Sequence, residues 1–145
     1  VEMGIIMASD ATDPVVKGVA QEIVVQQRFD QGVMSAWLGD WGYDLGKQDR
    51  TSMAWMGTPK PVDSMDGIQS PEKMAELRQA TGTAKDILFL EMMTDHHRGG
   101  VHMADYAAAR GEDARVRRQA EIMARNQSIE IGELEAIVSR LERDG

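Results

Sequence analysis

The chain contains no cysteine. Disulfides and thiolate sites for zinc or iron–sulfur clusters are thereby excluded, so any metal must be held by His, Met, carboxylate or backbone oxygen. No apolar run approaches the roughly 18 residues needed to cross a bilayer, and the first residues lack a basic stretch followed by an apolar one. The sequence therefore reads as a soluble chain without a membrane span, with a removed export signal left open. Positive charge is scarce as well: 16 Lys and Arg stand against 24 Asp and Glu, for a net charge of −8. That balance argues against nucleic-acid partners, which are held by clustered cations, and favours solubility and attraction of cations. Aromatics are few, two Phe, two Tyr and three Trp, whereas Met reaches 11. Flexible thioethers must then fill much of the interior or serve as soft ligands.

The alternation of β-branched and polar residues expected of strands is missing throughout, and helical spacing dominates. Asp13-Pro14 provides an N-cap followed by proline at the first helical position, and Val15, Val16, Val19, Ala20 and Ile23 predict a long helix to about Trp41. Residues 42–69 hold glycines, prolines and four methionines or tryptophans (Met53, Trp55, Met56, Met65) without periodicity, an irregular connection that packs onto something. Ser70-Pro71 repeats the cap signal for a short helix that Gly82 stops. Thr83 to Asp86 resembles a capping box and predicts a helix from Ala84 to Arg110, ended by Gly111. Asp113 then opens a last helix carrying Val116, Ala120, Met123, Gln127, Leu134, Ile137 and Leu141 nearly to the end of the chain.

Comparing the chain with itself at an offset of one hundred residues pairs Val1, Met3, Asp13, Val16, Ala20, Gln27 and Ala36 with identical residues at Val101, Met103, Asp113, Val116, Ala120, Gln127 and Ala136. Two helical hairpins of common design follow, and neither could bury its apolar stripe alone. The expected architecture is a single all-α domain over residues 1–145, a four-helix bundle. Its parts are repeat one at 1–41, the Met-rich connection at 42–69, the short helix at 70–82 and repeat two at 83–145. In this register the counterparts of His96 and His97 would precede Val1, so the first hairpin reads as truncated at its N-terminus.

All three histidines, His96, His97 and His102, lie in "MMTDHHRGGVHMADY". At about 100° per residue the three imidazoles point to different sides, so they cannot all ligate one ion from one straight helix. Neither HExxH nor the Glu-x-x-His pattern of di-iron bundles is present. What the spacing does offer is Met92 one turn before His96, Met93 one turn before His97, and Met103 close to the azimuth of His96. Imidazole beside thioether is a neutral, soft ligand set that suits cuprous copper better than zinc, magnesium or calcium. Met53, Met56 and Met65 are candidates for further ligands. The plainer reading makes the methionines core filler and the histidines hydrogen-bonded structural groups.

Gly99 and Gly100 cost on the order of 1 kcal/mol each in mid-helix relative to Ala, which points to close approach by a neighbour. Asp95 could orient an imidazole, yet no Ser or Cys nucleophile accompanies it. Glu91, Asp95, Arg98 and His102 read as a solvated face with local ion pairs, and His102 as exposed. Gln127-x-x-Glu130, echoed by Gln27-x-x-Asp30, is a polar pair that could bond across the bundle if buried, or equally a surface pair. Trp37 and Trp41 form an aromatic ridge over the end of the core.

Asp86, Phe89, Met93, His96, His97, Met103 and Ala104, followed by Ala120, Met123, Gln127, Glu130 and Ile131, resemble a bacterial family known only as domain of unknown function 305. Met3, Ala20, Ile23, Gln27, Asp30, Met34, Trp37 and Leu38 resemble the tail of a first copy of the same pattern. The resemblance implies a ferritin-like fold, export from a bacterial cell, and a link to copper. One departure is Gly100, where the family pattern has Ala, which leads one to expect a looser helix contact. The expected role is a secreted or cell-envelope binder of a soft metal, copper foremost, through His96, His97, Met92, Met93 and Met103, acting as chelator or carrier and not as a catalyst. Self-association into a homo-oligomer is an open expectation. The alternative is a metal-free bundle whose histidine segment is structural or pH-responsive and which acts through protein partners or self-association.

Overall fold

The structure, a computed structural model, describes residues 1–43 and 51–145; the part of the expected connection that falls on residues 44–50 lies outside them. The fold is all-α: among the described residues the only strand-like pairing is an isolated antiparallel bridge between Ser52 and Lys60. Two compact units make up the chain, Val1–Arg50 and Thr51–Gly145.

In the first unit α1 (Glu2–Asp10) is followed by α2 (Pro14–Asp40). The Asp13 carboxylate accepts from the backbone N–H groups of Val15 and Val16 at 2.8 and 3.1 Å, and Pro14 occupies the first turn, as the cap signal predicts. The two helices approach closely at Gly4, where a Cβ would stand 2.7 Å from Val24 Cγ2 and 3.1 Å from the carbonyl oxygen of Ala20. Met3, Met7, Val16, Ala20 and Ile23 are buried. Trp37 and Trp41 form the expected aromatic pair, 6.5 Å between centroids, with Trp41 still 43% exposed.

The second unit contains α3 (Pro71–Gln79), α4 (Gly82–Arg110) and α5 (Ala114–Asp144), preceded by single 3-10 turns at Ala54–Met56 and Val62–Ser64. Ser70 Oγ caps α3 by accepting from the N–H of Lys73 at 3.2 Å, and the helix stops at Gln79, ahead of the expected stop at Gly82. Gly82 instead begins α4, in a left-handed conformation at φ 62° that glycine adopts without steric cost. The expected capping box at Thr83 is therefore displaced: the N-cap is Thr81, which makes no side-chain cap bond, and Asp86 is 1% exposed inside the helix.

Gly111 closes α4 in an extended conformation (φ −59°, ψ 138°). Its glycine is explained by space, since a Cβ would lie 2.7 Å from the carbonyl oxygen of Ala107. Asp113 caps α5 through the N–H of Arg115 at 2.7 Å and pairs with its guanidinium, which holds the Asp113 carboxyl down at about 2.

α4 and α5 form an antiparallel hairpin whose register is fixed by His97 lying across from Glu130 and Gly100 across from Gln127. Near the turn the partners are small, with Ala104, Ala120 and Ala124 packed against Ala107, Ala108 and Met123. Further from the turn Phe89, Leu90, Met92, Met93, Leu134 and Leu141 are buried, each a full apolar side chain contributing about 1.5–3 kcal/mol.

Candidate functional site

The run "MMTDHHRGG" is a set of doublets, and α4 separates each doublet onto two adjacent stripes. Met93, His97, Gly100 and Ala104 recur every three or four residues and form the stripe toward α5; Met92, His96, Gly99 and Met103 form its neighbour, toward the connection that precedes α3. Each histidine thus has a methionine one turn before it and a glycine one turn after. Met92 and Met93 are 3% and 0% exposed, and Met103 is half-buried.

On the first stripe His97 is 1% exposed, and its Nε2–H donates to Glu130 Oε2 at 2.6 Å. A carboxylate can only accept, so this bond engages the ring through Nε2–H and leaves Nδ1 as the nitrogen turned away from Glu130. His97 Nδ1 is buried and has no hydrogen-bond partner. One turn on, Gln127 reaches over Gly100: a Cβ there would stand 2.2 Å from Gln127 Oε1, itself buried and without a partner. The contact at Gly100 is therefore tight where a looser one was expected, because the missing methyl is replaced by the tip of a glutamine from the facing helix.

On the second stripe the anchor is backbone. His96 Nδ1–H donates to the carbonyl oxygen of Gly67 at 2.8 Å, which places the lone pair of this ring on Nε2. Burial lowers the pKa of His96 from its ordinary value, partly opposed by the Gly67 carbonyl, so the imidazole is neutral near neutral pH. The two rings stand 5.9 Å apart at 71°. Neighbouring imidazoles are thus pinned at opposite nitrogens, His96 through Nδ1 and His97 through Nε2.

The connection behind these anchors folds onto itself. Ser52 and Lys60 exchange backbone hydrogen bonds at 2.8 and 2.9 Å, Met53 is 2% exposed at a left-handed φ of 58°, and Trp55 meets Tyr106 edge to face at 5.3 Å. Met56 and Met65 are half-buried. The sequence-based expectation that this segment packs onto something is met by its contact with α4.

The other expected partners sort differently. Asp95 orients no imidazole but pairs with Arg98 at 3.2 Å, and Arg98 reaches Glu135 on α5 at 2.8 Å, which makes this the solvated face the charge pattern predicts. His102 is exposed, 3.4 Å from Asp66 Oδ2. Of the Gln127/Glu130 pair, Glu130 does bond across the hairpin, and its target is His97. The sequence does not point to Gly67, Asp66 or Gln69, since two of them act through backbone atoms that carry no residue signature. Among the described residues no group of three or more His, Cys, Asp or Glu side chains is placed to hold a metal ion, so an ion at the histidine pair would depend on thioether sulfur.

The domain of unknown function family DUF305 matches residues 1–138. No curated protein matches the chain. Among solved structures, a DUF305 protein from Streptomyces coelicolor described as secreted is similar at a TM-score of 0.89 and 29% identity, covering 97% of this chain and 83% of that one. A DUF305 fragment from Deinococcus radiodurans is similar at a TM-score of 0.76 and 27% identity, covering 96% of this chain and 85% of that one. With the family model matching nearly the whole chain, residues 1–138, the chain belongs to the DUF305 family.

Proposed function

We propose that this protein is an exported bacterial binder of a soft metal ion, cuprous copper best matching its donors, and that His96, His97, Met92, Met93 and Met103 hold the ion. The observation that carries this reading is His97, with a buried Nδ1 that has no hydrogen-bond partner while Nε2–H is held by Glu130. A desolvated polar atom without a partner costs about 1–3 kcal/mol, and a ligand on Nδ1 would offset that cost. A carboxylate on the far nitrogen is also the arrangement that orients a metal-bound imidazole and raises its basicity.

His96 supports the same reading, being neutral and keeping Nε2 unprotonated. Met92 and Met93, buried one turn before the imidazoles, are the neutral sulfur donors that cuprous copper accepts and that calcium and magnesium do not. When bound, the ion would contribute Lewis acidity or one-electron chemistry, and chelation or carriage is the role proposed. Export is supported by the similarity to a protein described as secreted.

The His97–Glu130 bond also favours a second reading, in which the pair is a structural lock in a metal-free module acting through protein partners or self-association. Anaerobic titration of the chain with cuprous ion against a chromogenic chelator, beside a His96→Ala/His97→Ala variant, separates the two. Uptake by the parent that the double variant loses is the expected result; equal uptake by both removes the site, and none by either leaves the lock.

A further inference from the structure

Gly67 and Gly99 face each other backbone to backbone. A Cβ on Gly99 would lie 2.5 Å from the carbonyl carbon and oxygen of Asp66 and 2.6 Å from the nitrogen of Gly67. In return, a Cβ on Gly67, which sits at φ 81°, would lie 2.7 Å from the carbonyl oxygen of His96 and 3.2 Å from the Cα atoms of His96 and Gly99. Contacts of this kind cannot be relieved by rotating a side chain. At Gly100 the nearest atoms belong to the mobile end of Gln127.

From this juxtaposition we infer that the Asp66–Gly67 turn is a strap that positions His96 by deciding which of its nitrogens is available, and that Gly99 is the seat admitting the strap to α4. A free neutral imidazole can carry its proton on either nitrogen. The Gly67 carbonyl accepts only from Nδ1–H, and so holds the lone pair on Nε2.

The strap is fastened at both ends. Gln69 Nε2 donates to the carbonyl oxygen of Met92 at 3.0 Å, and Lys60 Nζ donates to Asp66 Oδ1 at 2.6 Å. It thus runs along the stripe of α4 that carries Met92, His96 and Gly99. The helix-propensity cost of Gly99, about 1 kcal/mol relative to Ala, finds its reason in this seat. In the metal reading the strap acts on affinity as a positioning element for one ligand; that consequence rests on the proposed function, whereas the tautomer does not.

Gly99→Ala and Gly100→Ala in the full chain provide the test, because both gain the same helix propensity and only the first collides with backbone. Long-range 15N–1H correlation reads the His96 tautomer, and hydrogen exchange at the amides of Met65 and Ile68, both hydrogen-bonded within this segment, reads strap seating. In Gly99→Ala, His96 should lose its fixed Nδ1–H pattern, exchange should rise about tenfold, and cuprous affinity should fall about tenfold. Gly100→Ala should keep the Nδ1–H pattern and parent-like exchange.

A Gly99→Ala protein that retains both the Nδ1–H tautomer and slow exchange overturns the strap. Should circular dichroism show Gly99→Ala unfolded, exchange in His96→Ala decides: faster exchange at Met65 and Ile68 sustains the strap, and unchanged exchange overturns it. A parent protein that takes up no cuprous ion removes the metal reading while the tautomer and exchange data still judge the strap.

Discussion

His97 on α4 and Glu130 on α5 stand 33 positions apart in the chain and meet at 2.6 Å, with the imidazole fully enclosed and the carboxylate 31% exposed. The bond ties the two longest helices together at one point in their register. It also leaves Nδ1 of His97 buried and without a hydrogen-bond partner.

Glu130→Ala should leave both ring nitrogens of His97 without partners and cost about 1–3 kcal/mol of stability, whereas Glu130→Gln, whose amide oxygen still accepts from Nε2–H, should cost less than about 1 kcal/mol. Urea unfolding of the two variants checks the order. Equal losses would mean that the bond is not what stabilises this part of the hairpin. In the metal reading Glu130→Ala should also weaken cuprous binding about 10–100-fold.

Burial lowers the pKa of His96 relative to the unfolded chain, so the unfolded state takes up the proton more readily. The stability this group contributes is therefore present above the unfolded value, about 6.5, and is lost as pH falls through it toward the lower folded value. Between about pH 7.5 and 5.5 the parent should lose more stability than His96→Gln, whose side chain can still donate to Gly67 without titrating. Urea midpoints at the two pH values decide it, and parallel losses would refute the assignment. Asp66 and Asp113, both lowered by their cationic partners, act in a separate and more acidic window.

Gly32 on α2 has nothing within 4 Å of where a Cβ would stand, so Gly32→Ala should stabilise the protein by about 0.5–1 kcal/mol. Gly4→Ala gains the same helix propensity but meets Val24 and the backbone of Ala20, and should destabilise instead. Opposite signs in thermal unfolding are the expected outcome; two stabilising substitutions would show that α1 and α2 are not packed closely at Gly4.

Phe89 is fully buried in α4, and Phe89→Ala should cost about 3–5 kcal/mol through lost burial and the cavity left behind. A helical transition followed by circular dichroism in urea measures this. A loss below about 1 kcal/mol would mean that the site collapses or is hydrated.

Much of this was legible in the sequence because it depends on local chemistry. Asp13-Pro14, Ser70-Pro71 and Asp113 announce three helix starts, since a side-chain oxygen two or three residues before a backbone N–H is a short-range event. The 3.6-residue period places Met93, His97 and Ala104 on one stripe before any coordinates are known. Gly99 and Gly100 signal close approach by their cost alone. The start of α4 was misplaced because Gly82 enters the helix through a left-handed conformation, which no side-chain pattern advertises.

What only the tertiary structure decided is the partner of each of these groups. Glu130 is set across from His97 by the α4–α5 register, and the carbonyl of Gly67 is brought to His96 by a connection with no periodicity to read. Those partners occupy one nitrogen of each imidazole, and so decide which nitrogen of each could meet a ligand. The division has a physical origin: helix formation and capping act over a few residues, whereas proton placement on an imidazole depends on whichever acceptor the folded chain delivers from dozens of residues away.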